Sequence, residues 1–429
     1  MNRYKLTISC IQILSVVLLC TGCGGGGVDA DSGNFSLNSS ANSNSANSLG
    51  IVSGTVTGLT TGQQVTLLNN GGDSQTITTT GDGSFSFPTQ PPGSAFNVTV
   101  ETQPISQVCS VSNGTGQTTA TNIPKVIVTC SEISYAVSTI VRNLAPTSGL
   151  TIDSDSNIYV SQYDPLSRST IVNEYSIDGT LRKNITFNNS GVLNTSIAFG
   201  LAIDPQNTLF AIGASKNILA MTQSGFQSTI NSGFTGQCTK SLSDINGNIL
   251  FVGCGSGSPI YRLSHEGALS SFSSTVRLTN PITSITEDSL GNFFVTSGNQ
   301  VLKLVFDGSS ITTIPFAGSE TPGFSDGVGS QASFNNAASV AADSKGNLFV
   351  YDSGNFRIRK ITPFGVVTTV AGTTSSGILD GPGSTASFTS CKANTFVNYC
   401  SVAVDKSGNV IVLQTTSSGF SSIRKLTPN

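Results

Sequence analysis

Two sets of side chains have types and spacings that could do chemistry: nine cysteines, and an aspartate that returns six times at the head of a turn. Cysteine can carry lipid, hold metal, exchange disulfides or bridge strands, and its neighbours decide which. Beyond Cys23 no Cys-x-x-Cys occurs, and the lone histidine, His265, rules out a histidine-rich zinc centre by count. Cys10 and Cys20 fall in an early apolar run, and Cys23 follows the small pair Thr21-Gly22. Cys109, Cys130, Cys238, Cys254, Cys391 and Cys400 remain. Sequence alone allows fifteen pairings of six cysteines; three bridges between sequential partners are expected. Cys238 and Cys254 are symmetric about Asn246, so antiparallel pairing around that turn sets them opposite each other. Cys391 and Cys400 enclose a short excursion and read as a loop staple. Nucleophilic serine chemistry finds no footing: Gly253-Cys254-Gly255-Ser256-Gly257 has the serine out of place for a nucleophile elbow. Gly24 to Gly27 lacks the helix and lysine of a phosphate loop.

The recurring aspartates are Asp153, Asp204, Asp244, Asp288, Asp343 and Asp405. Each can accept backbone N–H bonds within its own turn. Recurrence points to fold symmetry, because one active site would need different residues on different repeats. Asp153-Ser154-Asp155-Ser156-Asn157 briefly follows a calcium loop, but Ile158 holds the glycine position and Asp164 the place of the late glutamate. Calcium in a central channel, held by Asp and Asn from several repeats, is the one cofactor the residues leave open.

The turns set the architecture. Their asparagines, Asn157, Asn207, Asn248, Asn292, Asn347 and Asn409, are spaced by 50, 41, 44, 55 and 62 residues. That range suits four-stranded blades with variable loops better than a solenoid. The clearest unit runs from Phe334 to Gly372, and its DSGNFRIRKITPFGVVTTVAG, preceded by DGVGSQASFNNAASVAADSKGNLFV, resembles the NHL-repeat family. The resemblance implies a β-propeller, and the six turns favour six blades over residues 132–429, so the fold expected is all-β, a small sandwich followed by the propeller. Ile423 to Thr427 looks like the third strand of a final blade, and Tyr135 to Val141 like its missing fourth, so an N-terminal strand closes the ring.

Short alternating runs over residues 51–131 read as that two-layer sandwich, similar to immunoglobulin-like modules, with Val56, Val65, Leu67, Phe85, Phe87, Val98 and Val100 inside. Cys109 and Cys130 lie on its late strands. In the propeller the first turns are short and uniform, while the opposite connections are enlarged. Loops on a rigid scaffold carry function, so that second face is the expected binding surface. Tyr163, Asp164, Arg168, Phe324, Asp326, Asp352, Asn355, Phe356 and Arg357 are its candidate contacts. The alternative for Asp352 and Asn355 is a turn cap, and for Arg357 a solvated strand position.

Arg3, Lys5, the apolar run Ile8 to Cys20 and Thr21-Gly22-Cys23 resemble a bacterial lipoprotein signal, with Cys20 where that family usually has Leu. The resemblance implies that residues 1–22 are removed, that Cys23 receives acyl chains and that the chain is anchored to a membrane. Gly24 in place of Asp implies the outer membrane, facing periplasm or exterior. Residues 23–50, GGGGVDADSGNFSLNSSANSNSANSLG after the cysteine, can bury almost nothing and read as a flexible tether. Charged residues make up 10% of the chain, the net charge is −3 and no basic stripe stands out, which excludes nucleic acid as a partner. The expected function is non-catalytic binding or scaffolding in the cell envelope, with a protein as first partner class and cell-wall glycan as second. A calcium-dependent lactonase-like hydrolase at the channel and a passive spacer are the alternatives.

Overall fold

A computed structural model describes residues 49–429 apart from 79–81, 106, 120–124, 146, 165–168, 188–199, 213–216, 231–232, 235–237, 255–259, 275–279, 308–309, 392, 395–396, 399 and 417. Cys23, the signal and nearly all of the tether lie outside the described residues. No helix among the described residues is long and apolar enough to cross a membrane. The described chain is all-β, with two single-turn 3-10 segments.

The first strands make a two-sheet sandwich. One sheet orders Gly83–Ser86, Ser53–Thr57, Val126–Glu132 and Gln107–Ser112; the other orders Asp73–Thr78, Gln64–Asn69, Ala95–Thr102 and Thr115–Gln117. Alternating apolar residues put Val56, Val65, Leu67, Phe85, Phe87 and Val98 in the core, with Val100 packed at its margin. Cys109 faces Cys130 across an antiparallel pair, and the two are bridged.

Six blades follow: 147–186, 200–230, 240–274, 282–318, 337–372, and a sixth from 401–428. Each inner strand contacts the next blade's inner strand, and Ser401–Val404 returns to Thr147–Ile152, so the ring is closed. Tyr135–Leu144 pairs antiparallel with Ser421–Pro428 and supplies the sixth blade's outer strand. A chain-terminal edge thereby gains a partner. Blades five and six each add a two-residue strand from the preceding crossover, Gly327–Val328 and Gly381–Pro382.

The turns hold as their chemistry requires. In all six, the aspartate Oδ1 accepts the N–H groups two and four residues on, as in Asp343 with Lys345 at 2.9 Å and Asn347 at 2.8 Å. In five, the asparagine Nδ2 also donates to that carboxylate. Cys238–Cys254 joins the flanks of blade three's first hairpin, and Cys391–Cys400 staples the approach to blade six. The sandwich sits on the face carrying the first and third turns, where Asn347 Nδ2 donates to Ile105 O at 3.4 Å. The variable connections lie on the opposite face.

Candidate functional site

A cleft in which three of the candidate residues meet lies on the ring's flank between blades five and six, with a volume of about 680 Å³. Phe324, Asp326 and Arg357 line one side; Glu132 to Tyr135, Gly383 and Asn429 line the other, and Thr369 to Gly372 form the floor. Phe324, Asp326 and Arg357, expected on the variable-loop face, therefore line the flank. Two crossovers fold outwards to pair with blade edges, and they carry their residues to the flank.

Each wall has a physical cause. Asp352 and Arg359 are both fully buried, and Arg359 Nη1 donates to Asp352 Oδ2 at 2.8 Å. Arg359 Nη2 donates to Asp326 Oδ1 at 2.6 Å and to Ser325 O at 2.9 Å, while Nη1 also reaches Ser333 O at 3.1 Å. The guanidinium lies 5.2 Å from the centre of the Phe334 ring. One buried arginine therefore fixes the crossover that presents Phe324. The Phe324 ring, 65% exposed, lies 5.3 Å from the Arg357 guanidinium. Such a contact adds about 0.5–1 kcal/mol at an exposed site, too little to explain an aromatic left in water.

Across the cleft, Asn429 N donates to Ser134 O at 2.9 Å, and Gly383 N donates to Tyr135 O at 2.7 Å. These bonds tie the end of the sixth blade to the segment leaving the sandwich. Gly372, at the cleft floor, has φ of 110°, and an ideal Cβ there would stand 2.3 Å from Phe356 O. Burial raises the Tyr135 phenol above its ordinary range, keeping it a neutral donor and acceptor.

The other candidates separate. Asp352 is an internal anchor with no surface to offer: it accepts from Asn335 N at 2.8 Å, Asn355 Nδ2 at 2.8 Å and Arg359. Asn355 spends its amide on Asp352 and Gly323 O, and Asp352 precedes the 3-10 turn Ser353–Asn355 without a side-chain capping bond to it. Phe356 caps the 3-10 turn Ser353–Asn355 in the left-handed region, φ 56°. Tyr163 and Asp164 end the strand Ile158–Asp164 on blade one, away from the cleft; their side chains and all of Arg168 lie outside the described residues.

Among the described residues, no group of three or more His, Cys, Asp or Glu is placed to hold a metal ion. The six turn aspartates serve their own turns. His265 sits exposed in blade three's third turn, with its N–H 3.3 Å from Asn248 Oδ1.

With that geometry established, similarity to known proteins is informative at the level of fold. Neither a family description nor a curated protein matches the sequence. Solved structures do. A Bacteroides thetaiotaomicron protein of unknown function aligns over 86% of this chain and 90% of its own, at 16% identity and a TM-score of 0.57. An auxiliary nutrient binding protein from the same organism aligns over 85% and 90%, at 14% identity and a TM-score of 0.52. A second auxiliary nutrient binding protein, from Bacteroides ovatus, covers 85% and 91% at 14% identity and a TM-score of 0.50. The fold is a β-propeller.

Sequence reasoning missed Arg359 and its counterpart Arg424. Arg424 is also buried, donates to Asp380 at 2.9 Å, to Ser387 O at 3.0 Å and to Leu379 O at 2.8 Å, and lies 5.2 Å from the Phe388 ring. A signal was present: Asp326-Gly-Val-Gly-Ser-Gln-Ala-Ser-Phe334 returns as Asp380-Gly-Pro-Gly-Ser-Thr-Ala-Ser-Phe388, and each copy precedes an Ile-Arg-Lys strand.

Proposed function

We propose that this chain is a non-catalytic binding protein of the bacterial cell envelope, anchored by lipid on Cys23, and that it engages a protein partner at the cleft between blades five and six. The observation that carries this reading is Phe324. A buried arginine with two carboxylate partners holds its loop, yet the ring stays exposed beside Arg357 at the cleft rim. Arginine is among the residues most often found at the energetic centres of protein interfaces, and phenylalanine is enriched in their cores. Ile378 and Leu379 are likewise exposed on the matching crossover of blade six.

Three disulfides fit an oxidising compartment, and the outer membrane is the proposed site of anchoring. The nutrient binding proteins of Bacteroides have this fold, which fits a binding role without naming a ligand. A calcium-dependent hydrolase at the channel has less support, because the turn aspartates are committed and a lysine ammonium occupies the axis.

The test uses the full chain immobilised in detergent against envelope extract, with bound protein identified after crosslinking. Phe324→Ala and Arg357→Ala should each reduce capture of the same protein about tenfold, as expected for hot-spot residues. Thermal melting should stay as in the unmodified chain. Capture by both variants at the level of the unmodified chain refutes the cleft as the contact.

A further inference from the structure

Lys240 is used neither by the cleft nor by the turn symmetry. It opens the inner strand Lys240–Ser243 of blade three, at the end of the axis nearest the variable connections. Its side chain crosses the ring: Nζ donates to Ser401 Oγ on blade six at 2.6 Å and stands 3.4 Å from Leu150 O on blade one. The residue is only 8% exposed, and no carboxylate among the described residues forms an ion pair with it. Two further hydroxyls at the same end of inner strands, Thr147 Oγ1 and Ser241 Oγ, are buried without a hydrogen-bond partner.

A buried charge without a counter-charge costs several kcal/mol, and an ammonium has three N–H donors to place. Ser401 satisfies one of them well, and the contact to Leu150 is long. Burial lowers the proton affinity of Lys240 to about 8, with no other titratable group contributing. The ammonium therefore still predominates at neutral pH, without a carboxylate partner among the described residues. We propose that the variable-loop end of the axial channel binds one small monovalent anion, of the size of chloride or formate, against Lys240 Nζ. Bound there, the ion neutralises the axis and ties blades one, three and six together.

Chloride NMR line broadening by the full chain, at trace chloride in an otherwise non-coordinating buffer, tests this. Excess broadening is expected at pH ~7, with a several-fold fall by pH ~9.5 as Lys240 deprotonates. The Lys240→Met variant should lack that excess. Competition by formate marks a site open to carboxylates, and competition by bromide alone marks a halide site; both results support the proposal. Broadening equal in Lys240→Met, or unchanged between the two pH values, overturns it. Should the variant fail to fold, the pH comparison on the unmodified chain decides alone.

Discussion

Arg359 and Asp352 form an ion pair closed to water, with Nη1 and Oδ2 2.8 Å apart and neither side chain exposed. The matching arginine of blade six, Arg424, has a different environment. Register puts Gln414 where blade five has Asp352, and the ion-pair partner Asp380 is 36% exposed. Removing one member of a buried pair leaves a charge that cannot hydrate, at a cost of about 3–5 kcal/mol. Arg359→Leu should therefore lose about 3–5 kcal/mol in urea unfolding, and Arg424→Leu distinctly less. Adding Asp352→Asn to Arg359→Leu should restore part of the loss. Equal losses for the two arginines would show that the second carboxylate adds nothing.

Cys109 and Cys130 stand directly opposite on neighbouring strands, 21 residues apart in sequence. Closing a loop of that length restricts the unfolded chain by about 3 kcal/mol in the chain-entropy account. The sandwich is small, so this is a large share of its stability. Replacing both cysteines with serine should lower sandwich stability by about 2–4 kcal/mol. Denaturant unfolding followed by amide exchange should show the sandwich opening first while the propeller amides stay protected.

Legibility in the sequence follows the range of the interactions. The Asp/Asn turns close within five residues, so their hydrogen bonds are written in contiguous sequence. The closing strand was legible because the sixth repeat lacks an outer strand while Tyr135 to Val141 has the pattern of one; the structure extends that strand to Leu144. The cleft joins Glu132, Phe324, Arg357 and Asn429, which no local pattern connects. Arg359 reads as an outward polar residue of an alternating strand, until a crossover from 26 to 34 residues upstream covers it. Lys240 meets Ser401 across 161 residues, and only the closed ring brings them together.

Glu287 ends the inner strand of blade four, and its Oε2 accepts the Ile245 N–H at 2.7 Å. Burial, reinforced by Asp244 and Asp288, raises its pKa from 4.5 to about 7. The folded chain therefore holds a proton in that window which the unfolded chain has released. The stabilising contribution is complete below pH 4.5 and is lost as pH rises through 7. Urea midpoints should fall across this range in the unmodified chain. Glu287→Gln keeps an acceptor for Ile245 and carries no charge, so its midpoints should lack this component and exceed the unmodified chain's at pH ~8. Parallel pH profiles for the two chains would remove Glu287 as the source.

Val137 tests the closure of the ring. It is buried in the sixth blade's outer strand, opposite Leu426 on one side and Gly381 on the other. Proline there removes a backbone donor and places a ring between two paired neighbours, which interior strand positions do not tolerate. Releasing Tyr135–Leu144 exposes the edge of Ser421–Pro428, and unpaired edges recruit other chains. Val137→Pro should therefore lower propeller stability by about 3 kcal/mol or more, and light scattering should detect association. Ala136→Ser, at an exposed position of the same strand, should leave both measurements unchanged. A monomeric Val137→Pro chain with the original melting temperature would mean that the ring is held without its N-terminal strand, so that its blade-to-blade cores suffice.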